Sequence, residues 1–272
     1  MSNAADTCYN FIKSFAKIAL KSRKGVPFKG INRDTVIVMG NGPSLADVIG
    51  HKLDTLRKHD TIAVNFAALS PALFSIKPRY YVLADPHFFS TPEPGGNLEK
   101  LRDAFDRIDW PMTLFVPNGA DASCYQRAGI DIVRFNAVGV EGPKRFTHAV
   151  FRHGLGMPRP RNVLIPSIML AIASGYRRII ITGADHSWMK TISVTDDNEV
   201  VSVQPHFYAE SDSEQKRIRH DYSNRPLHDV VESFAVAFRS YHEIASYARK
   251  LGVEILNATP GSFIDAFPRA EL

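Results

Sequence analysis

The polar residues best placed for chemistry lie where apolar runs stop. The run 36–39, Val-Ile-Val-Met, breaks into Gly40-Asn41-Gly42-Pro43-Ser44. Residues 61–65 finish on Asn65, and 80–84 lead into Asp85-Pro86. Glycine lets a backbone approach a ligand and take positive φ. Pro43 suits the first turn of a helix, and Ser44 with Asp47 three residues on has the form of a capping box. A helix starting there would present free N–H groups to an anion such as a nucleotide phosphate. Three successive strand ends carrying Asn41, Asn65 and Asp85 would share one crevice and could hold ribose or base. The dinucleotide pattern Gly-x-Gly-x-x-Gly is not met, since Leu45 stands at the third glycine and no acidic residue ends the second strand. NAD is therefore disfavoured, and a mononucleotide fits better.

A fourth apolar run, Ile-Ile-Ile-Thr, ends at Gly183 and is followed by Asp185, His186 and Ser187. Beyond it come His206, Tyr208, His220, Tyr222 and His228. A histidine is the usual general base for a hydroxyl at neutral pH, and tyrosine or serine can donate to a leaving phosphate. The histidine spacing matches no zinc motif, and no metal is expected. A set made of Asp185, His186 and His206 is the one metal alternative.

The elements that must place these residues follow from periodicity. Strand-like runs occur at 35–39, 61–65, 80–84, 112–116, 130–135, 178–182 and 253–257. Helical periodicity lies at 45–58, 98–107, 122–127, 166–175 and 227–251. The strand runs are apolar at consecutive positions, as in strands covered on both faces. The expected fold class is α/β, a doubly wound and mostly parallel Rossmann-like sheet. Residues 31–272 read as one nucleotide-binding catalytic domain. Within it, about 185–226 reads as a lid-like insertion that begins with a hairpin, TISV-TDDNE-VVSV. Residues 136–161, rich in Gly, Pro, Arg and His, read as an irregular excursion.

Residues 1–30 read as a basic amphipathic N-terminal helix. Phe11, Phe15, Ile18 and Ile12, Ala16, Ala19 fall at helical spacing, with Lys13, Lys17, Lys21, Arg23 and Lys24 mostly on the other side. Such a helix either lies in a membrane interface through 9–24 or packs its apolar face on the domain. The 272 residues carry a net charge of +5, which suits anionic small molecules or lipid surfaces. No nucleic-acid motif is present, and an oligomer is compatible with the pattern. Two cysteines, Cys8 and Cys124, are too few for a disulfide framework. With no membrane-length apolar run and no secretory signal, the cytoplasm is the expected compartment, with peripheral contact at the inner membrane face.

The segments GNGPSL, a strand ending in Asn, and a strand ending in Asp-Pro are together similar to bacterial CMP-sialic-acid-dependent sialyltransferases of the small single-Rossmann kind. SIMLAIASGYRRIIITGADHSW resembles their second signature, and LNATPGSFIDAF their closing strand. The order holds over most of 35–267. Hydroxymethylpterin diphosphokinases of the archaeal type, and related bacterial surface-polysaccharide proteins, share the same segments. The resemblance implies that Asn41, Asn65 and Asp85 hold the CMP moiety, although the family has Asn where Asp85 stands. It implies that the phosphate lies near Arg161–Asn162. It assigns departure of the phosphate to tyrosines after the Gly-x-Asp strand; His186 and Ser187 stand there in this chain, so Tyr208 or Tyr222 would take the role. It implies a histidine base before the last helix: His228 first, with His220 and His206 as alternatives. The expected function is transfer of a sialic-acid-like sugar from a CMP donor to a glycan or lipid-linked acceptor in surface polysaccharide synthesis, with no cofactor. The alternatives are a Mg-dependent diphosphokinase acting on a pterin-like alcohol, with Asp85 and Asp185 as ligands, and a non-catalytic nucleotide-binding subunit.

Overall fold

The structure, a computed structural model, describes residues 4–202, 207 and 225–272. Seven strands form one parallel sheet: β1 (Arg33–Met39), β2 (Asp60–Val64), β3 (Tyr80–Val82), β4 (Met112–Pro117), β5 (Ile130–Phe135), β6 (Tyr176–Thr182) and β9 (Glu254–Asn257), in the order β5-β4-β3-β2-β1-β6-β9. The chain winds outward from β1 to β5, then returns to lay β6 on the other side of β1. The β1–β6 pair is thus the point where winding direction reverses, which is where open α/β sheets bind ligands.

The apolar strand runs have the physical cause expected of them. Along β1, Val36 and Val38 enter the core on one face, while Ile37 and Met39 enter the core on the other. Side chains alternate with period two, so a strand covered on both sides must be apolar at every position. On the Val36 face lie α5 (Lys144–Arg152), α6 (Leu164–Ala173) and α7 (Leu227–Leu251). On the other lie α2 (Ser44–Lys58), α3 (Ala72–Ile76) and α4 (Asn97–Asp106).

Two expectations need correction. Residues 122–127 form only a 3₁₀ turn, Ser123–Tyr125, because Tyr125 drops fully into the core and its hydroxyl donates to the Phe88 carbonyl at 2.7 Å. Residues 136–161 are not wholly irregular. They hold α5, whose Thr147, His148, Val150 and Phe151 are buried, and Gly139 bridges to Met157. Gly and Pro on either side hid a nine-residue helix whose apolar face is real.

The expected hairpin forms from β7 (Ile192–Val194) and β8 (Val200–Ser202). Val200 packs with Val230 and Phe234 of α7, and with Trp188 and Ile192, in a small satellite core.

The N-terminal helix α1 (Ala4–Lys21) packs on the domain with one face. The Phe11 ring meets Phe146 edge-on at 4.7 Å, the Ser14 hydroxyl accepts from the Glu141 amide at 2.9 Å, and Ile18 touches the main core. Phe15 does not join Phe11 and Ile18; it is exposed, as are Tyr9, Ile12 and Leu20. No helix among the described residues is long and apolar enough to cross a membrane.

Candidate functional site

A cleft of about 880 Å³ opens at the carboxyl ends of the strands. Gly40, Asn41, Gly42, Pro43, Asn65, Asp85, Asn162, Gly183, Asp185, His186 and Ser187, all anticipated from sequence, line it together with Asn118, Arg161 and Trp188. Ser44, also anticipated, is not among the lining residues. The floor depends on two glycines. A Cβ on Gly40 would stand 2.4 Å from the Gly183 carbonyl oxygen, and one on Gly183 would stand 2.5 Å from that of Gly40. Only glycine at both positions lets the ends of β1 and β6 close up this far.

The anion expected on the 40–44 turn is supplied by the chain itself. The Ser44 hydroxyl donates to Asp185 Oδ2 at 2.8 Å, and the Ser44 amide points to the same oxygen at 3.4 Å. A Cβ on Gly42 would fall 1.9 Å from that oxygen, so Gly42 is what allows the carboxylate to reach the start of α2. A charged acceptor outcompetes a local cap, and the expected Ser44–Asp47 capping box does not form: α2 has no side-chain cap hydrogen bond of its own. The next amides are also used, Leu45 by the Gly42 carbonyl and Ala46 by that of Pro43. The end of α2 therefore offers little to a ligand phosphate.

What the cleft does offer is a set of asparagine amides. Asn41 Nδ2 donates to the Val64 carbonyl at 3.0 Å, which leaves Oδ1 aimed elsewhere; that buried oxygen has no partner among the described residues. Asn65, at φ +49, turns the chain off β2, and its own buried Oδ1 is likewise unpaired. Asn162 Oδ1 accepts from the Leu164 amide at 3.0 Å and from the Tyr241 hydroxyl at 2.9 Å, leaving Nδ2 buried with no partner among the described residues. A buried amide atom without a hydrogen bond costs about 1–3 kcal/mol, a cost a ligand relieves by supplying the bond. Two acceptors and one donor, each on an asparagine that lines the cleft, are thus left without a partner among the described residues.

Asn162 is oriented from behind. Tyr241, buried in the middle of α7, donates to Asn162, and His186 Nε2 lies 2.6 Å from the same hydroxyl. Since the tyrosine proton goes to Asn162, His186 must donate from Nε2. Burial holds its pKa down to about 3, so the ring is neutral at pH 7. Trp188 covers it, ring centroids 4.1 Å apart. A ring with so low a pKa is a weak base; its work here is to hold Tyr241 and Asn162. Beside Asn162, Arg161 is pushed below its ordinary pKa by partial burial and by the charges of Arg159 and Arg225. An anion at this mouth would lower that repulsion.

Asp85 is exposed, and its Oδ1 accepts from the His87 amide at 2.8 Å as a local turn. His228 is exposed on the first turn of α7, 3.4 Å from Asp229, and the structure does not bring it into the cleft lining. His206, Tyr208, His220 and Tyr222 lie outside the described residues. Phe207 is described, and its amide donates to the Asn41 carbonyl at 3.2 Å. Among the described residues no three His, Cys, Asp or Glu side chains gather to hold a metal, and Asp185, a member of the metal alternative, is committed to Ser44.

Sequence reasoning did not single out Asn118, Trp188 or Tyr241. Asn118 was within reach, because it follows β4 as Asn41 follows β1. Tyr241 sits in mid-helix, and nothing local marks it.

The fold class is thereby settled: a Rossmann-like α/β domain with its cleft at the switch point. No protein-family model and no curated protein matches the chain. Among solved structures it is similar to the MAf glycosyltransferase from Magnetospirillum magneticum AMB-1, with TM-score 0.53 and 14% identity, over 96% of this chain. This chain spans 37% of that one, so the likeness is one of fold across part of a larger protein.

Proposed function

We propose that the protein is a glycosyltransferase whose donor is a CMP-linked, sialic-acid-like sugar and whose acceptor is a glycan or a lipid-linked glycan. The observation that carries this reading is that three asparagines lining one cleft each hold a buried amide atom, Asn41 Oδ1, Asn65 Oδ1 and Asn162 Nδ2, unpaired among the described residues. Two acceptors suit the amino group of a cytosine and the ribose hydroxyls; one donor suits a phosphate oxygen. The fold shared with the MAf glycosyltransferase agrees with the proposal.

In this reading the nucleotide lies over Gly40 and Gly183, with Asn41 and Asn65 on its sugar and base. Its phosphate sits by Asn162 and Arg161 rather than on α2, whose first turn is occupied by Asp185. As the glycosidic bond breaks, the amide and guanidinium stabilise the charge gathering on the phosphate. The acceptor oxygen attacks the anomeric carbon and gives its proton to a histidine of the 203–228 stretch.

The Mg-dependent diphosphokinase alternative has less support, because one of its two carboxylates already serves Ser44. The test is release of CMP from a CMP-linked acidic sugar in the presence of EDTA. Turnover by the wild type and its loss in Asn162→Ala, folded by circular dichroism, is the expected result. Turnover of ATP with a pterin alcohol and magnesium, and none of the CMP donor, would replace this reading with the diphosphokinase. Tight nucleotide binding with no turnover of either would point to a binding subunit.

A further inference from the structure

The helix α1 has two apolar faces, and the domain uses only one. Phe11, Ser14 and Ile18 face inward. Tyr9, Ile12, Phe15 and Leu20 are exposed at 64%, 61%, 62% and 74%. With Cys8, Ala16 and Ala19 they follow the i, i+4, i+7 spacing of a single helical stripe. Large exposed apolar side chains gathered on one face mark a contact surface. Lys13, Lys17 and Lys21 run along one edge of this stripe, with Arg23 and Lys24 following. Lys13 Nζ lies 5.6 Å over the Tyr9 ring, so a lysine charge stands directly beside the apolar stripe. Lys17 is pushed below its ordinary pKa by partial burial and by the charges of Lys13, Arg159 and Lys21, which outweigh the opposing pull of Glu141.

We propose that the outer face of α1 docks the protein on an anionic lipid bilayer, with Tyr9, Ile12, Phe15 and Leu20 in the interface and the lysines among the headgroups. Charge selects this occupant. The helix has one acidic residue, Asp6, at its far end. A second copy brought face to face and antiparallel would set lysine rows against each other, and a parallel one would leave both rows unanswered, whereas an anionic surface answers them. The helix is also mounted firmly. Buried Asn136 accepts from the Arg23 amide and donates to the Arg23 and Gly154 carbonyls, at 2.8, 2.8 and 2.7 Å. The same Asn136 oxygen accepts from Asn118, a residue of the cleft wall, at 2.8 Å. Docking through α1 therefore sets the cleft in a defined attitude to the membrane. The inference does not depend on which donor the cleft takes.

The experiment is co-sedimentation of the full chain with vesicles of phosphatidylglycerol and phosphatidylcholine in equal parts, against phosphatidylcholine alone. The wild type should pellet with the anionic vesicles, less so at high salt. The double variant Ile12→Glu, Phe15→Glu, altered only at outward positions, should partition at least about tenfold less while keeping its melting temperature. A polarity-sensitive fluorophore on exposed Cys8 of the wild-type helix gives a second readout, and its emission should shift to the blue with anionic vesicles only. Soluble wild type in every vesicle mixture, or equal pelleting by the double variant with no shift at Cys8, would overturn the proposal. A concentration-dependent dimer that the double variant abolishes, without vesicle binding, would give the face to a second copy instead.

Discussion

In the proposed reading, three asparagines and the groups behind them decide what the cleft binds. If Tyr241 orients Asn162, Tyr241→Phe should keep the fold and leave the amide free to turn away. The loss of one hydrogen bond is worth about 1 kcal/mol, roughly fivefold in the Kd for nucleotide, read by calorimetry. An unchanged Kd would mean that the Leu164 amide holds Asn162 unaided. His186 makes a prediction about pH. Its pKa is near 3 in the folded state and about 6.5 when unfolded, so the unfolded chain binds the extra proton between those values. Stability is then fully present above pH 6.5 and falls as the pH drops toward 3, by about 2 kcal/mol at pH 5 relative to neutrality. His148 acts in the same direction, its pKa lowered by burial and by Lys250 and Lys144. His186→Gln, which still can donate to Tyr241, should flatten the slope in denaturant titrations across this range; an unaltered slope would assign the acid sensitivity to other groups.

The elements show why some of the site was legible and some was not. Strand runs apolar at every position, ending in glycine or asparagine, declare a doubly covered parallel sheet and the end at which it binds. That is how Asn41, Asn65, Gly183 and Asp185 could be placed together from sequence. The role of Asp185 could not be foreseen, since it arises from a contact across 141 positions between the end of β6 and the start of α2. Gly42 carries that contact. Gly42→Ala would drive a Cβ into Asp185 and separate the carboxylate from Ser44. The expected cost is about 1–3 kcal/mol of stability, with weaker nucleotide binding. A variant as stable and as tight as the wild type would show that the two strand ends relax apart freely. Helix α5 and Tyr241 were missed for a related reason: each is defined by what packs on it from distant sequence, not by a local pattern.

The whole molecule divides its labour between the two ends of the sheet. At the amino-terminal end Tyr176 donates to Asp60 at 2.5 Å, and Asp60 also meets Arg33 and Arg79 at 3.7 and 3.4 Å. This cluster ties β1, β2 and β6 together away from the cleft. Tyr176→Phe should lower stability by about 1–3 kcal/mol, because it removes a buried donor to a carboxylate, and should leave nucleotide affinity alone. At the carboxyl end the glycines, the asparagines and Arg161 line the cleft proposed as the ligand site, and the end of α1 is fastened to its wall through Asn136. The central claim is that the asparagine amides form a CMP site independent of metal. The most direct test is calorimetric titration of the wild type and Asn41→Ala with CMP, CDP, UMP, GDP and ATP, first in EDTA and then with magnesium. CMP should bind most tightly in EDTA, magnesium should change little, and Asn41→Ala should weaken CMP while the protein stays folded. Binding of ATP only with magnesium, or CMP affinity unaffected by Asn41→Ala, would contradict that claim.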